Sequence, residues 1–417
     1  MVDEQQKGPD AQAIADAGAF NVEAKLAELN IQPEKRYNNK LTLFNGQWAD
    51  LSIDQIAEFA HRAGFDGVEA CTWGKSLEID TILNAESGTP YLKRVLGDLK
   101  KHNIGVWAMS AHIQGQAATN ANAGIDADLV GFLPPKYKAV FESGDFDAIR
   151  QAGVDILANT VRAAAKLRDV AEKEYADLGK DMWNPSVVTM FTGSPIWHRV
   201  YLFPGMDDTR IQAAFDYVAT AMKPVLKVAA ENGIKLGLEV HPTEIAFDGH
   251  TALRLLNSMA QVEYGDRFGI NNDASHLGYQ GVNPVKFIEA IGTRGRLYHT
   301  HIKDAAWGLD PTGLGGVHGS HEQFGSEKRY WDFRSIARGM INQAAIVEAL
   351  TQQGYKGPLS VEWEDPRIDR EAGAIASAMV MRGILTGNVD LAREGLQMYK
   401  NPANYKRAAF DKAFTDK

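Results

Sequence analysis

The chain has a single cysteine, Cys71, among its 417 residues. That excludes an internal disulfide and a zinc site built on thiolates, and it fits a reducing compartment. Positive charge is also scarce: 44 Lys and Arg against 53 Asp and Glu leave a net −9 at pH 7. Phosphate binding needs a basic surface, so a nucleic-acid partner is not expected. No stretch approaches the roughly 18 uninterrupted apolar residues of a membrane span. The start, Met1-Val2-Asp3-Glu4, has no apolar core behind its charges, so no signal peptide is expected. The expectation is a soluble, cytoplasmic protein with no membrane and no nucleic-acid partner.

What is present is the composition of an ordinary globular protein, 45% hydrophobic and 23% charged. The first forty or so residues are polar and Ala-rich, with a weak helical pattern over Val22 to Leu29. From Leu41 onward, short apolar runs alternate with amphipathic stretches. The runs begin at Leu41-Thr42-Leu43-Phe44, Val68-Glu69-Ala70-Cys71, Ile104, Val187, Leu236, Phe268, Leu297 and Leu359. Ser52 before Ile53, Ile56, Phe59 and Ala60 predicts a capped helix closed by Gly64. Single helices are predicted from Ile156 to Ala171 and from Thr209 to Gly233. Eight strands, nearly all separated by helices, predict an α/β fold of the (β/α)8 TIM-barrel type. The expected organisation is an N-terminal extension over 1–40, a barrel over 41–385 and a C-terminal extension over 386–417. Two long segments, Ile113 to Asp147 and Asp304 to Asn342, leave C-terminal strand ends, where barrel enzymes carry their sites.

Polar residues gather at four of these predicted strand ends: Glu239 and His241; Asp273 and His276; His299 and His301; Glu362 and Glu364. Adjacent barrel strands converge, and such groups repel or desolvate one another unless a cation sits between them. A divalent metal removes that problem, and carboxylates with an imidazole suit Mn²⁺, Mg²⁺, Co²⁺ or Zn²⁺. The bland alternatives are specific too. Asp273 could cap the following turn, and Glu362 could pair with Arg367 or Arg370. Period-two alternation gives His299 and His301 the same face, and likewise Glu362 and Glu364, so spacing does not separate them. His241 should share the face of Glu239. Trp48, Trp73 and Trp307, just past strand ends, could stack on a sugar ring or simply pack.

With Glu239, Asp273, His301 and Glu362 in this order, and the phrases His-Ile-Lys-Asp and Leu-Ser-Val-Glu-Trp-Glu-Asp, the chain resembles the xylose-isomerase-like sugar phosphate isomerase/epimerase superfamily over about Leu41 to Leu385. The resemblance implies a metal held by Glu239, Asp273, His301 and Glu362, preferring His301 over His299 and Glu362 over Glu364. Mn²⁺ is the expected ion of the four. It also implies acid/base roles for Glu239 and Glu362, and directs attention to His112 and Gln116 in Met109-Ser110-Ala111-His112-Ile113-Gln114-Gly115-Gln116. A histidine at His276 contacts substrate in similar epimerases. Trp48, Trp307, His241 and Gln116 complete the expected substrate contacts.

The expected chemistry is proton abstraction next to a carbonyl, giving isomerisation or epimerisation of a sugar, keto-sugar or cyclitol through a metal-stabilised enediolate. The alternative is a lyase that uses the same proton removal to expel an aglycone from a 3-keto-glycoside, with His112 assisting. Relatives of that kind work with a small second subunit, which this chain does not encode. A repair endonuclease on the same barrel needs three metals and a basic rim, and the −9 charge speaks against it. A fourth reading is a barrel that binds metal and sugar without turnover. No Gly-rich, helix-opening anion site follows the last strands, which argues against phosphate. Oligomeric state is open to a homo-oligomer or a small accessory subunit, and the apolar, Met-containing helix around Ile375 to Leu385 with the polar tail beyond could support an interface.

Overall fold

The computed structural model describes residues 37–120, 133–176, 183 and 185–401. The extension expected over 1–40 therefore lies almost wholly outside the described residues. The strands are β1 (Leu41–Phe44), β2 (Gly67–Cys71), β3 (Gly105–Ala111), β4 (Val187–Met190), β5 (Lys235–Glu239), β6 (Phe268–Asp273), β7 (Leu297–Ile302), β8 (Asp304–Trp307), β9 (Trp331–Arg334) and β10 (Leu359–Val361). All but β8 and β9 form a closed, eight-stranded parallel barrel, in which neighbours follow chain order and β10 seals against β1. Strands covered on both faces need apolar residues at almost every position. That is why β1 and β4 are apolar but for one threonine each and are buried throughout.

Local chemistry sets the helix boundaries. Ser52 and Gln55 form a reciprocal capping box at the start of helix Ile53–Arg62. The chain leaves it through Gly64 at φ 81°, a left-handed turn that favours glycine. The single helix expected from Thr209 to Gly233 is instead two, Asp208–Ala221 and Lys223–Asn232. Pro224 causes the break: it has no N–H to donate, and its ring would meet the carbonyl four residues back. It therefore starts a helix in its first turn and cannot continue one.

The expected interface helix is covered within the chain. In Arg370–Thr386, residues Ile375, Ala376, Ala378, Met379, Val380, Met381 and Leu385 are all buried, and helix Val389–Met398 packs back against it. Among the described residues no helix is long and apolar enough to cross a membrane.

Register brings the chemistry to one end. Glu239 pairs with Asn271, Asp273 with His301, and His301 with Ser360, so the last residues of β5 and β6, the last but one of β7 and the first residue after β10 share one rim. The segment from Asp304 to Asn342 leaves that rim and carries β8 and β9, an antiparallel pair beyond the eight predicted strands. Asp304 pins it at both ends. Its carboxylate accepts the backbone N–H of Ala305 at 2.9 Å, and of Ala337, Gly339 and Ile341 at 3.0 Å each. Burial nevertheless pushes its carboxyl up to about 6.

Candidate metal centre

Glu239, Asp273, His301 and Glu362 each offer a ligand atom, and these four atoms lie within 4.8 Å of one another, all buried. His301 is central: its Nδ1 is 3.1 Å from Glu239 Oε2 and 3.0 Å from Glu362 Oε2. Asp273 does cap the turn after β6, accepting Ser275 N–H on Oδ1 at 2.8 Å. Its Oδ2 is left buried with no hydrogen-bond partner and faces the cluster. Glu362 does not pair with Arg367 or Arg370, since Arg370 holds Asp50 instead. Three carboxylates and one imidazole, with Asp273 Oδ2 making no hydrogen bond among the described residues, fit a divalent ion by donor chemistry.

The protein already places one cation there. Lys303 Nζ is 2.9 Å from Glu362 Oε2, 2.6 Å from Glu364 Oε2, 3.4 Å from Asp273 Oδ2 and 3.2 Å from His276 Nε2. Burial would lower the Lys303 ammonium, but Glu362 and Glu364 hold it well above its usual value. Burial likewise opposes ionisation of Glu362, yet Lys303 and His301 bring it down to about 2. Burial prevails at Glu364, which rises to about 7. Glu239 has a different setting. His112 Nε2 stands 3.0 Å from its Oε2 and His276 Nε2 3.1 Å from its Oε1. Against burial, His301 and then these two rings hold it well below the carboxylate range. One lysine is too little for this cluster, because buried carboxylates without nearby compensating charge are costly.

Below the cluster, inside the barrel, Glu69 of β2 meets His299 and His301 of β7. This separates two residues that alternation left equivalent: His301 faces the cluster, and His299 sits one layer deeper. Burial would raise the Glu69 carboxyl, but the adjacent His299 and His301 keep it well below its usual range.

Above the cluster lies a cavity of about 130 Å³, lined by Phe44, Gln47, Trp73, Phe191 and the titratable residues His112, Glu239, His241, His276, Lys303, Glu362 and Glu364. Hollows of about 430 and 520 Å³ lie elsewhere, one by Trp107, Lys235 and Lys356 and the other by Tyr37, Glu348 and Val389. Neither gathers carboxylates or imidazoles, so the smaller cavity is where the chemistry converges.

His112, His241 and His276 all line the cavity. His112 Nδ1 is hydrogen-bonded to Ser110 Oγ, and burial pushes His241 down to about 3. Three other expectations are corrected. Trp48 is in the core, its ring 5.5 Å from Phe59 and 6.0 Å from Trp363. Trp307 is on β8 against Gly278 and Met340. Gln116 is turned to Thr243 at 2.8 Å. Trp73 is the tryptophan on the cavity.

Sequence reasoning missed Lys303, Glu69, Gln47, Ser110 and the aromatic pair Phe44 and Phe191. Two of these had a signal. Lys303 is two residues beyond His301 and so shares its face, and Glu69 is a charge inside an apolar strand. Phe333 of β9 had none: it lies 4.2 Å under the Lys303 ammonium and 5.3 Å from the His276 ring, so the Asp304–Asn342 segment reaches the site.

Several known proteins are similar in sequence or fold. A xylose isomerase of Thermus thermophilus is 24% identical over 227 residues, 50% of this chain and 54% of that one; the chain spans about half the length of the curated relatives it matches. A 3-keto-D-glucoside 4-epimerase from E. coli superposes with a TM-score of 0.51 at 14% identity, covering 82% of this chain and 97% of the other. A xylose isomerase-like TIM-barrel protein from Mycobacterium smegmatis, in complex with magnesium, does so at 0.51 and 13%, covering 84% and 97%. The sequence profile described as xylose isomerase-like TIM barrel matches residues 57–384. With its closed eight-stranded barrel and rim cluster, the chain belongs to the xylose isomerase-like TIM-barrel family.

Proposed function

We propose that the chain is a divalent-metal-dependent isomerase or epimerase of a keto-sugar or cyclitol, acting by removal of the proton next to a carbonyl. The observation that carries this is the convergence of two buried carboxylates, Glu239 and Glu362, on one nitrogen of His301 at the floor of a cavity. Glu239, Asp273, His301 and Glu362 would hold the ion, with Mn²⁺ preferred over Mg²⁺, Co²⁺ and Zn²⁺. When bound, the ion supplies Lewis acidity toward a carbonyl and its neighbouring hydroxyl.

The remaining work falls to the side chains. Glu239 Oε2 and Glu362 Oε2 are the groups that take and return a proton. Lys303 keeps Glu362 ionised, while His112 and His276 stand within proton-transfer reach of Glu239. Phe44, Trp73 and Phe191 wall the cavity and exclude water from it. Among the described residues no arginine lines the cavity and the one lysine there is engaged by carboxylates, so the reading favours an uncharged carbohydrate ring. The likeness to the solved epimerases concerns fold, so the chemistry rests on these residues.

The test is proton exchange. Incubation with 2-keto and 3-keto sugars in D₂O, followed by NMR, should show deuterium at the α-carbon together with a new diastereomer or a shifted carbonyl. No exchange on any of them, with metal bound, overturns the reading. One observation favours a second outcome of the same proton removal. His112 is backed by Ser110 and faces the cavity, which suits protonation of a leaving group. Release of an aglycone from a 3-keto-glycoside would identify that β-elimination.

A further inference from the structure

The interior of a barrel of this type is ordinarily filled by layers of apolar side chains. Directly beneath the candidate centre the layer is polar instead: Glu69 from β2, Thr189 from β4, His299 from β7 and Ser360 from β10 are all fully buried. A carboxylate at such a place is costly unless fully satisfied, and apolar residues of similar volume are often as good or better for stability. Stability alone therefore does not account for Glu69.

The hydrogen bonds indicate what does. An imidazole binds a metal through a nitrogen that carries no proton, so the other nitrogen carries it and must donate. His301 turns Nδ1 toward Glu239 and Glu362 and Nε2 downward, 3.2 Å from Glu69 Oε1 and 3.1 Å from Oε2. The rest of the carboxylate is held in place: Oε2 also takes His299 Nε2 at 2.8 Å and Ser360 Oγ at 2.6 Å, and Oε1 takes Thr189 Oγ1. Its position is thus fixed by three other strands, independently of His301.

We propose that Glu69 is a positioning residue for the metal centre: it accepts the Nε2–H of His301 from below and so presents the ring's Nδ1 to the ion in a fixed orientation. The contact joins β2 to β7 across the barrel interior, so the centre depends on a strand that supplies none of its ligands. Partners of this kind, when removed, cost about 10–100-fold in metal affinity.

The inference rests on the metal reading above, and its test separates the two. The full chain, stripped of metal, is titrated with Co²⁺ alone, whose visible absorption reports both affinity and ligand geometry. Glu69→Gln should weaken Co²⁺ binding about 10–100-fold and change the absorption bands. Ser360→Ala and Thr189→Val each remove one bond that holds Glu69 but leave the Glu69–His301 contact, and should cost clearly less than Glu69→Gln, with unchanged bands. If Glu69→Gln does not fold, Glu69→Asp carries the contrast, since it keeps the charge and withdraws the acceptor from the ring. Wild-type affinity and bands in the Glu69 variant, or equal losses in all the layer variants, overturn the positioning role. A wild-type chain that takes up no Co²⁺ overturns the metal reading itself, and the inference with it.

Discussion

Glu239 and Glu362 are the same residue type, both at strand ends, both buried, and both within 3.1 Å of one imidazole nitrogen. Their other neighbours differ. Glu239 stands among imidazoles, those of His112 and His276. Glu362 is paired with Lys303, a fixed ammonium that has Glu364 on its other side. One flank of the site is thus equipped to relay a proton and the other to hold a charge still. Identical side chains become different reagents through what touches them.

The comparison is broken most directly at the carboxylates. Glu239→Gln and Glu362→Gln should each lower α-proton exchange by about 10²–10⁴-fold, the range of a positioned acid or base. Both should also lower metal content per chain by elemental analysis. Asp273→Asn, on neither flank, should lower metal content as well. Full metal content in all three would remove the ligand set. A variant that retains metal and exchanges protons from only one epimer would assign its glutamate to one face of the substrate.

Lys303 sharpens the contrast through stability. Lys303→Met leaves Glu362 and Glu364 without their cation, and breaking one side of a buried pair costs about 3–5 kcal/mol. In metal-free protein the urea midpoint should fall accordingly. Added Mn²⁺ should recover a larger share in the variant than in wild type, because the ion and the ammonium neutralise the same carboxylates. Equal midpoints in the two metal-free proteins would show that Lys303 is not the resident counter-charge.

The barrel was legible in sequence because strands buried on both faces need continuous apolar runs, and eight such runs alternate with helices. The four clustered rim residues were legible because each stands at the end of one of those runs. What local pattern did not carry was contact across the barrel. Glu69 and His301 are 232 positions apart, and only closure of the sheet brings them together. The tryptophans were misplaced for a related reason. Proximity to a strand end does not fix which way a ring turns, and Trp48 turns inward to Phe59 and Trp363. The break at Pro224 was readable from proline chemistry alone, but the apolar periodicity on either side of it masked the signal.

The relay flank carries a second buried acid. Glu244 Oε2 accepts the N–H groups of Thr192 and Gly193, each at 2.7 Å. Burial, with the Glu239 charge beyond, still raises its carboxyl to about 7. A folded-state value above the unfolded one means the folded chain binds more protons between about 4.5 and about 7. That contribution is complete below the window and is lost as pH rises through it. The share of Glu244 in the loss of wild-type stability from pH 5 to pH 8 should therefore be at most about 3 kcal/mol, and Glu244→Gln should flatten that part of the slope. An unchanged slope would assign the pH dependence to other groups.

The smallest expected effect decides between the two chemistries. An epimerase needs one acid/base group on each face of the substrate, and Glu239 and Glu362 already provide both. His112 then only tunes Glu239 from 3.0 Å, so His112→Ala should cost proton exchange no more than about tenfold, roughly 1.4 kcal/mol. In β-elimination the departing oxygen or carbon must be protonated as it leaves. The glutamate that takes the α-proton can hand it on only to a group departing on its own face, and a group departing on the opposite face needs a separate acid. The general acid is then His112, backed by Ser110, and its removal should cost aglycone release about 10² or more. Exchange in D₂O and product release, measured on the same variant, separate the cases: loss of release with exchange intact places His112 at the leaving group, whereas a parallel small loss in both leaves it as a neighbour of Glu239.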